Sequence, residues 1–181
     1  RTVAVLQGKK SVYETEVFQP IIQAIEALCG KKYGDNETDD ISIRIISDHI
    51  RTSVFILGDQ HGIAPSNVGQ GYILRRLIRR AVRHGKKLGI EGAFLSGLAK
   101  VVLSLYKEPY PELAQNENFI FEELVKEEDK FSQTLTKGEK EFEKMLPNLM
   151  KGNSRVIGGR IAFKLYDTYG FPIELTRELA A

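Results

Sequence analysis

The sequence predicts an all-α fold, a multi-helical bundle with at most one very short β piece near residues 155–158. Two observations lead to this prediction. Apolar residues recur three, four or seven positions apart along most of the chain, which is the spacing of a helix face that packs on a core. Period-two alternation, which is typical of a half-buried strand, occurs only briefly, at 41–46.

The first part of the chain predicts four helices, at 17–29, 41–57, 73–88 and about 93–107, with a turn-rich loop at 58–71 before the third. Residues that start or stop helices mark several of their ends. Pro20 lies in the first turn of the first helix, and Gly30 and Gly89 follow the first and the third. The alternation at 41–46 leaves a strand open there as an alternative, although the length of the apolar segment and its lack of turn residues favour a helix.

The second part of the chain predicts either one long helix or an antiparallel helix pair between residues 116 and 149. One face is apolar at spacings of four or seven, and the other is rich in Glu and Lys and is expected to be solvated. Gly138 is a candidate bend. A further helix is predicted at 160–169, with Gly170 just after its end, and a last one begins at Phe171-Pro172.

The helix predicted at 73–88 carries the strongest concentration of charge in the chain. Seven of the residues from 75 to 87 are Arg or Lys, and at about 100° per residue all seven fall within an arc of roughly 140°. The formal net charge of the whole chain is only +2, so this basic stripe is a local feature. Its members are Arg75, Arg76, Arg79, Arg80, Arg83, Lys86 and Lys87.

A stripe of guanidinium groups is the expected footprint for phosphate, above all for a nucleic-acid backbone. Arginine outnumbers lysine five to two in the stripe, and the planar arginine fork can grip phosphate oxygens in bidentate fashion. A solvated face, or a face paired with acidic helices elsewhere in the chain, is the alternative. The stripe alone leaves both interpretations open.

Composition bounds the class of protein. The 181 residues are 42% hydrophobic and 28% charged, which is ordinary for a globular chain of one or two domains. The single cysteine, Cys29, excludes an internal disulfide framework and fits a reducing compartment. No membrane span or signal peptide is visible, so we expect a cytoplasmic location. The chain starts at Arg1 without a methionine and ends in mid-pattern, so we expect a piece of a longer protein.

Catalytic chemistry is poorly supported by the sequence. The three histidines lack the spacing of a metal site, and no cysteine pair accompanies them. His49 beside Asp48 is a candidate half of a catalytic pair, but a hydrogen-bonded packing histidine is the more common role. No phosphate-binding loop, dinucleotide fingerprint or nucleophile elbow occurs. We therefore predict no metal and no complete catalytic site.

Two polar residues are candidate readers of a nucleic acid. Asn67 lies where the basic helix starts, and its ordinary role is capping or turn formation. Asp167 lies near a predicted helix C-terminus, where a carboxylate opposes the helix dipole and needs a partner or a task. Asn offers a donor and an acceptor, and Asp accepts from an exocyclic amine, so both can discriminate base edges.

Long, ordered segments of the chain resemble the alanyl-tRNA synthetase family. They are Asp48-His-Ile-Arg-Thr, the run from Pro65-Ser-Asn to His84-Gly85, and Ala162-Phe-Lys-Leu-Tyr-Asp-Thr-Tyr-Gly-Phe-Pro172. The resemblance covers essentially the whole chain. Val68 and Gln70 depart from the commonest family pattern, which has Glu and Arg there.

The resemblance implies a place in a larger enzyme. Residues 1–15 would end the class II aminoacylation core, with Arg1 as the ATP-binding arginine of its third motif. Residues 16–181 would form the helical tRNA-recognition domain, as one unit or as two subdomains, 16–110 and 111–181. In the family this region reads the G3·U70 pair of the tRNA(Ala) acceptor stem, and motif matching carries the two base-reading positions to Asn67 and Asp167.

The resemblance also implies partners and cofactors. The parent enzyme would be an alanine–tRNA ligase that uses ATP with Mg²⁺ and holds zinc in an editing domain that follows this segment. The partners would be the tRNA(Ala) acceptor stem, whose backbone lies along the basic stripe, and the rest of the synthetase, with no membrane. The segment itself is expected to hold no cofactor and to be inactive alone. A free-standing helix-turn-helix type module and an inert interdomain scaffold are the alternatives.

Overall fold

The computed structural model describes residues 2–151, 156–169, 171–173, 176, 177 and 180, without the side chains of 148–151 and 169. Within these residues the protein is helical and contains no strand, which confirms the all-α prediction. Residues 156–158 form no strand, and residue 155 of the expected β piece lies outside the described residues. The helices are α1 (Thr2–Leu6), α2 (Gln19–Cys29), α3 (Glu37–Gly58), α4 (Gly69–Leu88), α5 (Leu95–Tyr106), α6 (Pro111–Gln115), α7 (Glu117–Lys151) and α8 (Gly159–Tyr169), with a 3-10 turn at Val12–Glu14.

The chain divides into two compact units, Arg1–Asp129 and Lys130–Ala181. This division falls within α7. The prediction of one recognition domain over 16–181, or of two subdomains at 16–110 and 111–181, stays a prediction. The assignment of residues 1–15 to the end of a catalytic core stays a prediction.

The ends of α2 and α3 follow from local chemistry. Gly30 after α2 has a φ of 69°, a left-handed conformation that lets its N–H donate to the Glu26 carbonyl. At the start of α3, the side-chain oxygen of Asn36 accepts from the backbone N–H groups of Thr38 and Asp39. Since α3 runs through residues 41–46, the strand alternative is excluded there.

The core of the first unit forms where α4 and α5 pack against α3. The core-facing residues of α3 and α4 recur at helical spacing and are almost completely buried: Ile43, Ile46, Ile50, Val54, Leu57, Leu74, Ile78, Ala81, Val82 and Leu88. Gly85 lets α4 approach Phe94, because a Cβ at Gly85 would collide with the phenyl ring. This packing leaves Arg76, Arg80, Lys86 and Lys87 of α4 exposed.

α7 is a single helix of 35 residues, which decides against an antiparallel pair. The predicted apolar face is buried at Ile120, Leu124, Phe131, Leu135 and Phe142, whereas the side chain of Leu149 lies outside the description. The helix continues through Gly138, where the ring of Phe171 occupies the space that a side chain would need. Gly138 therefore has a packing role within the second unit.

The structure confirms the helix predicted at 160–169 as α8. Gly170 lies outside the described residues, and the helix predicted from Phe171 onward falls in a stretch that is described only at 171–173, 176, 177 and 180. Across the described part of the chain, no helix combines the length and the apolar character needed to cross a membrane.

Candidate nucleic-acid interface

A tight turn presents Asn67 at the start of α4. The Ser66 N–H donates to the Gly71 carbonyl over 3.0 Å, and the Ser66 hydroxyl donates to the Val68 carbonyl over 2.8 Å. A Cβ at Gly71 would lie 2.5 Å from the Ser66 hydroxyl oxygen, so this close turn requires glycine. The Asn67 side chain is exposed and makes no hydrogen bond with any described residue. It does not cap α4, because Val68 holds the N-cap position without a side-chain bond.

Arg75 and Arg79, two members of the basic stripe, are paired with a carboxylate inside the protein. The Nε atoms of Arg75 and Arg79 lie 3.1 and 2.5 Å from the same Oε1 of Glu127 on α7. The two arginine side chains are each 20% exposed, and the Glu127 side chain is 8% exposed. The alternative of an ion-paired face therefore applies to these two arginines.

Three other cations form an exposed row, which we call the outer stripe: Arg76, Arg80 and Lys87. At 100° per residue they fall within an arc of about 40°, and they extend about 16 Å along the helix. The Arg76 guanidinium lies 5.9 Å from the centre of the Tyr72 ring, a cation–π contact. Arg80 and Lys87 make no hydrogen bond or ion pair with the residues that the structure describes. The outer stripe is therefore accessible to phosphate.

Sequence patterns placed Glu127 and Glu128 on a solvated face of α7, and this expectation is wrong for both residues because both are buried. A signal was present in their spacing. They follow Leu124 by three and four residues, positions that face the core, and a carboxylate there must find partners. Glu128 accepts hydrogen bonds from the backbone N–H groups of Phe94 and Leu95 at the start of α5, at 3.0 and 3.2 Å.

The environment of Glu128 changes its titration. Burial raises the pKa of this carboxyl, and the two backbone N–H groups that it accepts from oppose the rise. The carboxylate also supplies a capping acceptor to two N–H groups that no residue of α5 can satisfy. Glu127 and Glu128 thus connect α7 to α4 and to α5.

The described contacts favour a packing role for His49 over a catalytic one. Asp48 accepts a hydrogen bond from the Tyr13 hydroxyl, and burial together with this contact raises the pKa of Tyr13 to about 12. Burial, followed by the nearby charge of Arg80, lowers the pKa of His49. His49 is thereby kept neutral, and its carboxylate neighbour is bonded to the tyrosine.

His84 is a buried residue of α4 that sequence reasoning considered only as a metal ligand. Its Nδ1 lies 3.0 Å from the Ser42 hydroxyl oxygen on α3. Burial, with smaller contributions from Arg83 and Arg80, lowers the pKa of His84 to about 4. The imidazole is therefore neutral at physiological pH, although it lies on the most basic helix of the chain.

Asp167 lies on α8, in the second compact unit. Its side chain is exposed and makes no hydrogen bond or ion pair with any described residue. Phe163 and Tyr166 on the same helix are also exposed. Since the compensating partner expected for a carboxylate near a helix end is not observed, the Asp167 oxygens are available to an external donor.

The remaining predicted sites are quickly placed. Arg1, the expected ATP-binding residue, lies outside the described residues. In the described part of the chain, no cluster of three His, Cys, Asp or Glu side chains could hold a metal ion. Asn67 and the seven cations belong to the first unit, and Asp167 belongs to the second.

The chain matches the family model described as tRNA synthetases class II (A) over residues 1–181, and it belongs to that family. It is 65% identical over 181 residues to the alanine–tRNA ligase of Treponema denticola and 58% identical over 180 residues to that of Treponema pallidum. These alignments cover 100% and 99% of the chain but 30% of each relative. The alanine–tRNA ligase of Caldicellulosiruptor saccharolyticus is 48% identical over the full chain, which spans 20% of that relative. The resemblance to alanyl-tRNA synthetase is thereby confirmed.

Proposed function

We propose that this chain is the tRNA-recognition part of an alanine–tRNA ligase. It reads the G3·U70 pair of the tRNA(Ala) acceptor stem and positions the 3′ end for ATP-dependent aminoacylation. The observation that carries this proposal is the state of Asn67 and Asp167. Both side chains are exposed and make no hydrogen bond with any described residue, although each was expected to have an ordinary structural role. Polar groups without an internal task are available to a ligand.

The chemistry of the two side chains suits a G·U pair. A-form RNA displays its minor-groove base edges, and a G·U wobble leaves the guanine 2-amino group unpaired there. The Asp167 carboxylate accepts from that amine, as the aspartate does in the family. The Asn67 amide offers a donor and an acceptor, and approaches the uracil from the other side.

The outer stripe supplies the affinity that does not depend on sequence. Arg76, Arg80 and Lys87 are exposed cations on one side of α4, directly after the turn that presents Asn67. Contacts of this kind with phosphates fix the register of a protein on a duplex and carry no base information. The stripe therefore holds the stem while the two polar residues read it.

The rest of the ligase supplies the chemistry. The alanine site, the ATP site with its Mg²⁺ and the zinc-containing editing domain belong to other parts of the parent chain, with Arg1 as the contribution of this segment to ATP binding. The partners of the segment are the acceptor stem and the rest of the synthetase, in the cytoplasm.

The test is binding of the chain to two acceptor-stem minihelices that differ only in carrying G·U or G·C at the third pair. We expect the G·U stem to bind roughly tenfold more tightly, the value of one good base contact. Equal binding of both stems would instead favour a general helical nucleic-acid module, and no binding would favour an interdomain scaffold.

Asn67→Ala should reduce the preference for G·U without changing the melting temperature, because its side chain has no described partner.

A further inference from the structure

We propose that Glu127 withholds Arg75 and Arg79 from RNA, so that these two arginines do not follow the phosphates along α4. The inference rests on the proposed function, because it assumes that α4 contacts an RNA backbone. It departs from the expectation that all seven cations of the helix contact the tRNA.

One oxygen of Glu127 binds both arginines at once, and we call Glu127, Arg75 and Arg79 the cluster. Glu127 Oε1 accepts from Arg75 Nε at 3.1 Å and from Arg79 Nε at 2.5 Å. The acceptor is a buried carboxylate on a different helix, 52 and 48 residues away along the chain. Only 20% of each arginine side chain is exposed, so most of its surface is covered by protein. A phosphate that approaches these cations finds both already bonded to an anionic oxygen.

Opening the cluster is costly. Glu127 is 6% exposed, and loss of its two partners would leave a buried carboxylate without compensation. A phosphate that approaches Arg75 or Arg79 meets the negative charge of Glu127, and it competes with a charge-assisted hydrogen bond that already holds each guanidinium in place. Arg80 and Lys87 lose only hydration when they bind phosphate, because they have no described partner. Phosphates therefore bind along the outer stripe.

The withheld cations lower the part of the affinity that does not depend on sequence. Each phosphate contact strengthens binding to every RNA alike, so additional contacts raise the affinity for incorrect stems as much as for the correct one. A carboxylate that removes two phosphate contacts lowers the affinity for every RNA by the same factor. Binding at physiological salt then depends more strongly on the contacts that Asn67 and Asp167 make.

The first test is Glu127→Gln, which nearly preserves shape and removes the charge. We expect tighter binding to the G·U stem, the G·C stem and an unrelated RNA hairpin. Two added phosphate contacts should steepen the slope of log affinity against log salt by roughly 1.4–1.8, which is an additional gain of about 7- to 12-fold between 200 and 50 mM salt. The matched control is Glu122→Gln, which removes the same charge from an exposed position of α7 and should leave the slope unchanged.

The second test remains informative if Glu127→Gln folds poorly. In the parent chain, Arg75→Gln combined with Arg79→Gln should leave the salt slope unchanged, because these cations do not contact RNA. A slope flattened by roughly 1.4–1.8 would show that both arginines contact phosphates and would overturn the proposal. Thermal melting of each variant identifies losses of affinity that come from unfolding.

The two proposals fail in different ways. A parent chain that binds neither minihelix contradicts the proposed function itself. A parent chain that prefers G·U, and whose salt slope flattens on Arg76→Ala with Arg80→Ala, supports that function. If Glu127→Gln then behaves like Glu122→Gln, the withholding role of Glu127 alone is overturned.

Discussion

Asp167 is an exposed carboxylate in the last turn of α8, where the helix dipole disfavours it and no described residue compensates. Asp167→Asn keeps the shape and exchanges one acceptor oxygen for a donor. A charge-assisted hydrogen bond contributes about 1.5–3 kcal/mol, so we expect roughly 10- to 100-fold weaker binding to the G·U stem. The loss on the G·C stem should be smaller, because its guanine amine is already paired. Equilibrium titration of both stems measures the difference.

A structural role for Asp167 makes a different prediction for the same variant. It requires a lower melting temperature and equal losses on both stems. Glu143→Gln is a suitable control, because it removes an exposed carboxylate from the same compact unit and should change neither binding nor melting. Undiminished discrimination between G·U and G·C by a well-folded Asp167→Asn variant would contradict the reading role.

His84 makes the stability of the chain depend on pH. Its pKa falls from the ordinary value of 6.5 to about 4 on folding, so between these values the unfolded chain binds the proton and the folded chain does not. The contribution is complete above about pH 6.5 and is lost as the pH falls towards 4, at a cost of roughly 3 kcal/mol. His84→Asn should flatten the fall in melting temperature between pH 7 and pH 4.

Two other histidines, His49 and His61, bear on the interpretation of this experiment. The pKa of His49 is lowered as well, so part of the acid sensitivity should persist in the His84→Asn variant. His61→Gln is the matched control, because it removes a histidine whose side chain is 92% exposed and not buried like His84. If both variants lose stability with acid as the parent chain does, the burial of a neutral His84 is not the cause.

Single residues show where sequence reasoning ends. Helical spacing predicted the burial of Leu124, but it could not name the partners of Glu127, because Arg75 and Arg79 lie 52 and 48 residues away. The roles of Asn67 and Asp167 came from family resemblance. Local chemistry alone predicted capping or turn formation for Asn67 and a compensating partner or a task for Asp167. Asn67 lies in a turn without capping α4, and no described residue is a partner of Asp167.

At the scale of an element, α4 has an apolar side that packs on α3 and a cationic side with two kinds of residue. Arg75 and Arg79 are paired with Glu127, whereas the outer stripe is exposed. Arg76→Ala combined with Arg80→Ala should weaken binding to the G·U and G·C stems alike. The slope of log affinity against log salt should flatten by roughly 0.7–0.9 for each lost phosphate contact. Lys9→Ala with Lys10→Ala removes two exposed cations outside α4 and is expected to leave the slope unchanged. An unchanged slope for the α4 variant would show that the outer stripe is only solvated.

Gly85 provides a test of how α4 meets Phe94. Alanine normally stabilises a helix by about 1 kcal/mol over glycine, and Gly97→Ala in α5 should show this gain because no atom lies within 4 Å of the added methyl. Gly85→Ala should instead destabilise by roughly 1–3 kcal/mol, since its methyl collides with the Phe94 ring. Urea denaturation measures both values. A stabilised Gly85→Ala variant would contradict the close approach.

The helices themselves were largely predictable, because their signals are local. Pro20 and Gly30 marked the ends of α2, and the apolar spacing of α3 and α4 marked their buried sides. Gly138 shows the limit of such signals. A glycine that bends a helix and a glycine that admits Phe171 look identical in sequence, and only the tertiary contact separates them.

At the scale of the whole molecule, the chain spans 30% of the Treponema ligases that it matches. We expect no alanine-dependent pyrophosphate exchange and no deacylation of mischarged tRNA by the chain alone. The physical reason is that the proposed function assigns the groups that both reactions need to the other parts of the enzyme, with Arg1 as the expected contribution of this segment to the ATP site. A full-length alanine–tRNA ligase is the positive control, and either activity in a clean preparation of the chain would contradict the assignment.

The adjacent carboxylates of Glu127 and Glu128 place an unusual constraint on α7. One holds two arginines of α4 and the next caps the start of α5, so the two contacts depend on the same helical register. A single inserted or deleted residue before this pair would rotate it by about 100° and move it by about 1.5 Å, removing both contacts at once. Over evolutionary time, the first half of α7 is therefore free to change its exposed residues but not its length, and gaps between family members should fall elsewhere.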